Sequence, residues 1–493
     1  MRPDELFIGG NWVKPSTDGR IAVVSPHTEE TVARVAAAGP ADVDTAVGSA
    51  RAAFDDGPWP RLDPAERTAA VRRLAKLYGE RRQDMAELIT AEMGAPISFA
   101  QRAQVGLPAM MMTAFCELAQ TYPWTEARPG MYGADVHIRR EPVGVVAAIV
   151  PWNMPQFLIV TKLIPALLAG CTVVLKPAPE SPLDALLLAE MLAECELPPG
   201  VVSVLPGDGP VGEHLVRHPG VDKVSFTGST AAGRAVAAAC AADLKRVSLE
   251  LGGKSAAIVL ADADPAAVAA GVRSASLSNS GQICNALTRI LVPTDRADEF
   301  TDALAAEMTS LVVADPTDSA TQVGPLVAQR QQERVRGYIE TGRREGARLV
   351  VGGTAMPDGL DRGWFVRPTL FADATNSMRI AREEIFGPVL TVIPYSDEDE
   401  AVTMSNDSDY GLAGSVFTED TDRGLRIAAR IRTGTFGVNQ GYTMDPFAPF
   451  GGVKGSGHGR ELGREGIDGY TDTKSISIAA NQNSAATTAG KGA

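Results

Sequence analysis

Val143-Gly-Val-Val-Ala-Ala-Ile-Val150 runs wholly apolar into Pro151, and Cys171-Thr-Val-Val-Leu175 runs the same way into Lys176-Pro. Val201-Val-Ser-Val-Leu205, Val221-Asp-Lys-Val-Ser-Phe226 and Arg246-Val-Ser-Leu-Glu-Leu251 continue the series. Helical spacing fills 155–169, 182–196, 209–217 and 230–242 between them. Short runs without alternation read as strands apolar on both faces, and strands separated by helices imply a parallel sheet covered on both sides. Ligands of such sheets bind outside the carboxyl ends of the strands. Four segments fall there: Pro151-Trp-Asn-Met-Pro155, Lys176-Pro-Ala-Pro-Glu180, Phe226-Thr-Gly-Ser-Thr230 and Glu250-Leu-Gly-Gly253.

A second strand–helix cycle begins after Gly253. Ala256-Ala-Ile-Val-Leu260 reads as a strand and 264–278 as a helix, with Asp264-Pro265 at its start. Further units continue through Asn439. On the other side, the first 120 residues read as mostly helical, over 40–54, 64–93 and 98–120. The stretch 122–140 differs, with aromatic, Pro and Gly residues before the alternating Asp135-Val-His-Ile-Arg139, and reads as an excursion with short strands of its own. The fold class expected is α/β, with two doubly wound parallel-sheet domains. The tail after Ala479 is small and polar and reads as flexible.

The bulk composition agrees. A chain of 493 residues exceeds one core and suggests two or three domains. A net charge of −14 with no long basic run argues against nucleic acid. No apolar run reaches a membrane span and no signal-peptide layout opens the chain. Five scattered cysteines fit reduced thiols in a cytoplasmic enzyme, and five unclustered histidines give no metal site.

Cys284 stands out among the cysteines. It lies in the polar, glycine-containing loop Asn279-Ser-Gly-Gln-Ile-Cys-Asn-Ala-Leu-Thr-Arg289, whereas Cys116, Cys171, Cys195 and Cys240 sit in helix-face or strand-start contexts. Glu250 is a carboxylate at the end of an apolar strand, costly unless paired or functional. A thiol and a base suggest covalent chemistry on a carbonyl carbon. Phe226-Thr-Gly-Ser-Thr-Ala-Ala-Gly233 is a strand, turn and helix start whose N–H groups could face a pyrophosphate; a plain tight turn fits equally. Lys176 is either a ribose or phosphate donor or a solvated surface lysine. Asn153 is either an oxyanion donor or a cap for the next helix.

Taken together these segments resemble the aldehyde dehydrogenase superfamily. Pro151-Trp-Asn-Met-Pro, Phe226-Thr-Gly-Ser-Thr, Glu250-Leu-Gly-Gly-Lys-Ser, Gly281-Gln-Ile-Cys, Glu383-Glu-Ile-Phe-Gly-Pro388 and Pro449-Phe-Gly-Gly-Val-Lys-Gly-Ser-Gly457 occur in that family's order, from Phe7-Ile-Gly-Gly-Asn-Trp12 to about Ser477. The resemblance implies a Rossmann-like NAD-binding domain over 1–121 and 143–252 and a catalytic domain over 253–471. It also implies oligomerisation segments at 122–142 and 472–482, a tail at 483–493, and a homodimer or homotetramer. NAD is the implied cofactor, with NADP possible.

The same resemblance implies the residue roles. Cys284 would attack the aldehyde, Asn153 and the Cys284 backbone N–H would hold the oxyanion, and Glu250 would activate the water that hydrolyses the thioester. Lys162 matches the lysine that the family places near the active site. Cofactor contacts would come from Ile149, Pro151, Trp152, Lys176, Pro179 and Gly209. Phe226, Thr227, Gly228 and Ser229 would follow on the second strand, then Leu251, Gly252, Glu384 and Phe386. Met154, Phe157, Thr161, Ile283, Asn285, Phe447 and Phe450 would line the substrate channel; no arginine is evident among them, which points to medium-sized aliphatic or aromatic aldehydes.

Two positions depart from the family pattern. Pro179 stands where many NAD-preferring relatives have Glu, with Glu180 next, and Asp472 stands where many have Glu, a possible proton-relay position. Three rival readings remain. One is a CoA-acylating enzyme, against which Glu250 argues; another is a noncatalytic binding member, against which both Cys284 and Glu250 argue; the third is a thiol protease or amidase, which would want a His near the thiol that no motif places there.

Overall fold

The computed structural model describes residues 1–132 and 134–479. An eight-stranded sheet carries five parallel strands at its centre: Arg246–Glu250, Lys223–Thr227, Val145–Ile149, Thr172–Lys176 and Val202–Val204 in spatial order. A seven-stranded sheet is built the same way around Thr369–Ala372, Val389–Tyr395, Leu287–Pro293, Ser255–Val259, Gly414–Phe417 and Gly437–Val438. The fold is α/β with mixed sheets, since antiparallel strands stand at both edges of the first sheet and at one edge of the second. Apolar side chains from both faces of the first sheet form separate cores, one around Leu163, Phe115 and Val173 and one around Val47, Val145 and Leu215. This two-sided burial is why those strands lack alternation.

The N-terminal reading needs correction. Residues before Pro40 are not helical: Leu6–Ile8 and Asn11–Val13 add antiparallel strands to the first sheet, and Arg20–Val24 pairs with Thr31–Ala36. The helix expected over 64–93 breaks at Arg81 into Pro64–Glu80 and Arg82–Met93. The helix expected from 98 widens into a π turn over Ala100–Gly106, and the Leu107 N–H reaches back to the Arg102 carbonyl. Pro108 follows directly and supplies no N–H of its own, which the wider turn accommodates.

Gly457–His458, inside the 253–471 segment, pairs antiparallel with Leu249 and Glu250 at the edge of the first sheet. The excursion is two strands, Thr125–Arg128 and Val136–Pro142, and Thr471–Ser477 pairs along the second of them. The tail reading over 483–493, and 480–482 of the second arm segment, lie outside the described residues. No helix among the described residues is long and apolar enough to cross a membrane.

Candidate active site

The Cys284 loop joins the helix Pro265–Ser276 to the strand Leu287–Pro293. Asn279, Ser280 and Gly281 hold three successive left-handed conformations, with φ of 52°, 57° and 74°. For the two non-glycine residues this costs of order 1–3 kcal/mol each. The surroundings hold the loop in this shape. Ser280 Oγ donates to the Gly324 carbonyl at 2.8 Å, and Gln282 Oε1 accepts from the Val327 N–H at 3.1 Å. Gly281 is required on two counts, its φ and a Cβ that would run into the Gly387 carbonyl.

Asn153 ties this loop to the first sheet. Its Nδ2 donates to the Gln282 carbonyl at 2.9 Å, and its own carbonyl accepts from Gln104 Nε2 at 2.8 Å and Asn279 Nδ2 at 2.9 Å. The capping alternative does not hold, because the helix Pro155–Ala169 starts without a side-chain cap. Asn153 lies on the cavity wall beside Cys284. One Nδ2 hydrogen is engaged, which leaves the second for an oxyanion.

Burial first, then the charges of Glu384 and Glu250, push the half-buried Cys284 thiol up to about 12. At neutral pH it is a thiol that needs a base. Glu250 is buried, and neither carboxylate oxygen has a hydrogen-bond partner among the described residues. Burial and the neighbouring Glu461 hold its carboxyl well above the usual range, while Lys162 and Arg460 pull it down. Such a group accepts a proton at neutral pH far better than an exposed glutamate does.

Lys162 is 1% exposed and donates from Nζ to Thr227 Oγ1 at 2.7 Å and to Glu461. Glu461 was not singled out in the sequence; its signal was a charged residue between Arg460 and Leu462 directly after the glycine-rich 451–459 segment. Asp472, named there as a possible relay, is instead exposed and ion-paired with Arg246 at 2.5 Å. The carboxylate whose charge acts on Glu250 is Glu461.

A cavity of about 620 Å³ opens in front of Cys284. Pro151, Trp152, Thr227, Gly228, Ser229, Leu251 and Gly252 line it from the carboxyl ends of the first sheet's strands, and Glu384 and Phe386 from the segment before Val389–Tyr395 of the second. Trp152 and Phe386 meet edge to face at 5.5 Å. Gln331 and Arg334 join this wall, and Arg334 donates to the Glu384 carbonyl at 2.5 Å. Ile149 and Phe226 lie buried behind the wall and take no part in the lining.

The remaining predicted cofactor residues also lie outside the cavity. Lys176 is buried, its Nζ held by the carbonyls of Pro177 and Gly207 at 2.7 and 2.8 Å; the surface-lysine alternative does not hold. Pro179 is half-buried, Gly209 is exposed at the start of Gly209–Arg217, and Glu180 pairs with Arg330.

This wall fits a dinucleotide. Ser229 caps the helix Thr230–Ala242, so that helix offers free N–H groups and a positive dipole end beside the turn at Gly228. Glu384, raised to about 7 by burial, accepts the Gly253 N–H at 3.0 Å. Ribose hydroxyls are natural partners for its remaining lone pairs.

The lining also includes Met154, Phe157, Ile283, Asn285 and Phe450 from the predicted channel. Two predicted channel residues are displaced. Thr161 is fully buried, its hydroxyl returned to the Leu158 carbonyl at 3.0 Å, and Phe447 is 54% exposed outside this cavity. Sequence reading missed the wall formed by Phe99, Arg102, Ala103, Leu107 and Met110, together with Tyr442 and Met444. An arginine does line the cavity: Arg102, exposed and without an ion pair among the described residues.

Comparison with known proteins places this architecture. Residues 12–476 match the model of the aldehyde dehydrogenase family. The geranial dehydrogenase of Castellaniella defragrans is 48% identical over 471 residues, covering 96% of this chain and 98% of that one. A crystal structure of a Mycobacterium tuberculosis aldehyde dehydrogenase complexed with NAD+ superposes with a TM-score of 0.95 at 50% identity, over 97% of this chain and 98% of that one. The Pseudomonas syringae aldehyde dehydrogenase C, a mutant in complex with NAD+ and octanal, superposes with a TM-score of 0.93 at 45% identity, over 96% of each chain. The chain belongs to the aldehyde dehydrogenase family and is an aldehyde-oxidising enzyme.

Proposed function

We propose that the chain oxidises an aldehyde to a carboxylic acid through a Cys284 thiohemiacetal and thioester, with NAD as cofactor and NADP tolerated. The observation that carries this reading is the junction at Cys284. The thiol faces the cavity, Asn153 is fixed beside it, and an unpartnered buried Glu250 lies near enough for its charge to act on the thiol.

Glu250 takes the thiol proton, directly or through a water, and Cys284 Sγ adds to the aldehyde carbon. The carbonyl oxygen becomes an oxyanion that accepts the free Asn153 Nδ2 hydrogen and the Cys284 backbone N–H, a contribution of about 3–4 kcal/mol per donor. Bound NAD supplies the hydride acceptor. Pro151, Trp152, Phe386, Glu384 and the Gly228–Ser229 turn hold it, while Lys176 and Glu384 suit its ribose hydroxyls. Glu250 releases the thiol proton to solvent, then removes a proton from the water that attacks the thioester, and returns it to Cys284 Sγ as the carbon–sulfur bond breaks and the acid leaves. Lys162 and Glu461 set the pH at which Glu250 can do this.

The presence of Glu250 favours hydrolysis over transfer to CoA. Product analysis with and without CoA tests this reading: acid formation without CoA supports it, and turnover that requires CoA overturns it. The apolar wall of Phe157, Leu158, Ile283 and Phe450 supports medium-sized aliphatic or aromatic aldehydes, a class that agrees with the octanal bound by the Pseudomonas syringae relative. The paired arm strands support a homodimer or homotetramer, and the reduced thiols support a cytoplasmic location.

A further inference from the structure

The reaction cavity adjoins a second space. Leu107, Met110, Thr443 and Met444 also line a second groove of about 720 Å³, so the two spaces share a boundary. One wall of this joint space is a single helical face. Phe99, Arg102 and Ala103 line the inner cavity, Leu107 and Met110 line both spaces, and Thr113, Ala114 and Glu117 line the groove. Beyond the π turn, steps of three and four residues keep Leu107, Met110, Thr113, Ala114 and Glu117 on one side of the helix. The facing wall runs the same way, with Tyr442 inside, Thr443 and Met444 shared, and Asp445, Pro446 and Phe447 outside. From Met110 to Glu117 the helix adds about 10 Å of track.

Met110 is 59% and Phe447 54% exposed, so two large apolar side chains stand in water along one groove. Polar groups, Arg82, Thr113, Glu117 and Asp445, complete its lining. An apolar floor with a charged margin, continuous with a reaction cavity, suits the far end of the molecule whose near end is in that cavity.

We propose that this groove binds the distal apolar tail of a long-chain aldehyde whose carbonyl carbon lies at Cys284. The inference rests on the aldehyde-oxidising reading of the same site and extends it to a substrate class. Full burial of a methylene is worth a factor of about four in binding, so a half-covered groove gives about twofold per methylene.

The test is kcat/KM for butanal, octanal, dodecanal and hexadecanal, each below its aggregation concentration. A rise continuing from octanal to hexadecanal is expected, and a plateau at octanal overturns the groove. Thr113→Trp fills the groove and Phe447→Ser removes its apolar flank. Each should lower the hexadecanal-to-butanal ratio of kcat/KM at least tenfold, and because the reading is a ratio it does not depend on how much protein folds. An unchanged ratio in both variants overturns the proposal, as does loss of binding to phosphatidylcholine vesicles with the ratio intact, which makes the groove a lipid contact. Calorimetry on Cys284→Ala, without turnover, should show hexadecanoate binding tighter than octanoate; equal affinities count against the groove. Failure to oxidise any of the four aldehydes sinks the parent reading instead, and is told apart by the butanal arm.

Discussion

Gly451 stands so close to Glu250 that a Cβ on it would lie 2.7 Å from Glu250 Oε1. The residue also holds a φ of 156°, and the same Cβ would meet the Gly459 carbonyl oxygen at 2.8 Å. The glycine therefore keeps open the space in which the base sits. Gly451→Ala should displace Glu250 and slow acid release at least tenfold. Stopped-flow measurement of NADH should then show a burst near one equivalent followed by a slow steady state. A variant that slows the burst and the steady state equally would place the damage in the thiol addition instead.

The acid limb of kcat reports the Glu250 carboxyl, and its charged neighbours pull it in opposite directions. Glu461 raises it, whereas Lys162 and Arg460 lower it. Removing a positive charge makes a carboxylate harder to ionise, so Lys162→Met should move the limb to higher pH by about one unit. Removing the neighbouring negative charge does the reverse, and Glu461→Gln should move it to lower pH. Both changes break a buried ion pair and should lower stability by about 3–5 kcal/mol. Profiles of kcat on the folded enzyme separate the two effects, and shifts in the same direction would sink the assignment.

These neighbours show where sequence reading stopped. The parallel strands around Val145–Ile149 were legible because burial on both faces removes alternation. Glu461 was not, because it reaches Lys162 across 299 residues of chain. The return of Gly457–His458 to the first sheet rests on two paired residues, too few for any periodic signal. The strands Leu6–Ile8 and Asn11–Val13 are three residues each and escape notice for the same reason. Arg102 and Met110 were hidden differently: helical spacing is the same whether a face meets a core or a cavity. In the strands of Lys223–Thr227 and Arg246–Glu250, one face is polar at every register pair, Lys223 with Arg246, Ser225 with Ser248 and Thr227 with Glu250. That alternation was visible in the sequence, and reading these strands as apolar on both faces passed over it.

Thiol reactivity offers an independent check on the resting site. Burial raises Cys284 most, and Glu384 is the larger of the two charges that add to it. Glu384 itself ionises at about 7, so its effect on the thiol is full only above that pH. Alkylation of the free enzyme by iodoacetamide should rise close to tenfold per pH unit up to pH about 9, since the thiolate remains a small fraction throughout. Glu384→Gln should accelerate alkylation several-fold at pH about 8 and much less at pH about 6, where the native carboxyl is already largely neutral. Equal acceleration at both pH values would show that the substitution opens the site sterically.

Pro179 makes cofactor choice a sharp test of the first sheet's strand-end chemistry. A carboxylate at this position would accept both adenosine-ribose hydroxyls and repel a 2′-phosphate. Proline does neither, and the adjacent Glu180 is already paired with Arg330. Lys176 lies three residues earlier, and its two carbonyl partners leave one ammonium hydrogen for the cofactor. Wild-type enzyme should therefore turn over NADP measurably, with NAD still preferred. Pro179→Glu should raise the NAD-to-NADP ratio of kcat/KM at least tenfold, mostly through KM for NADP, because the new carboxylate opposes about two negative charges on the phosphate. A wild type that rejects NADP outright, or a variant with an unchanged ratio, would mean that discrimination resides elsewhere in the pocket.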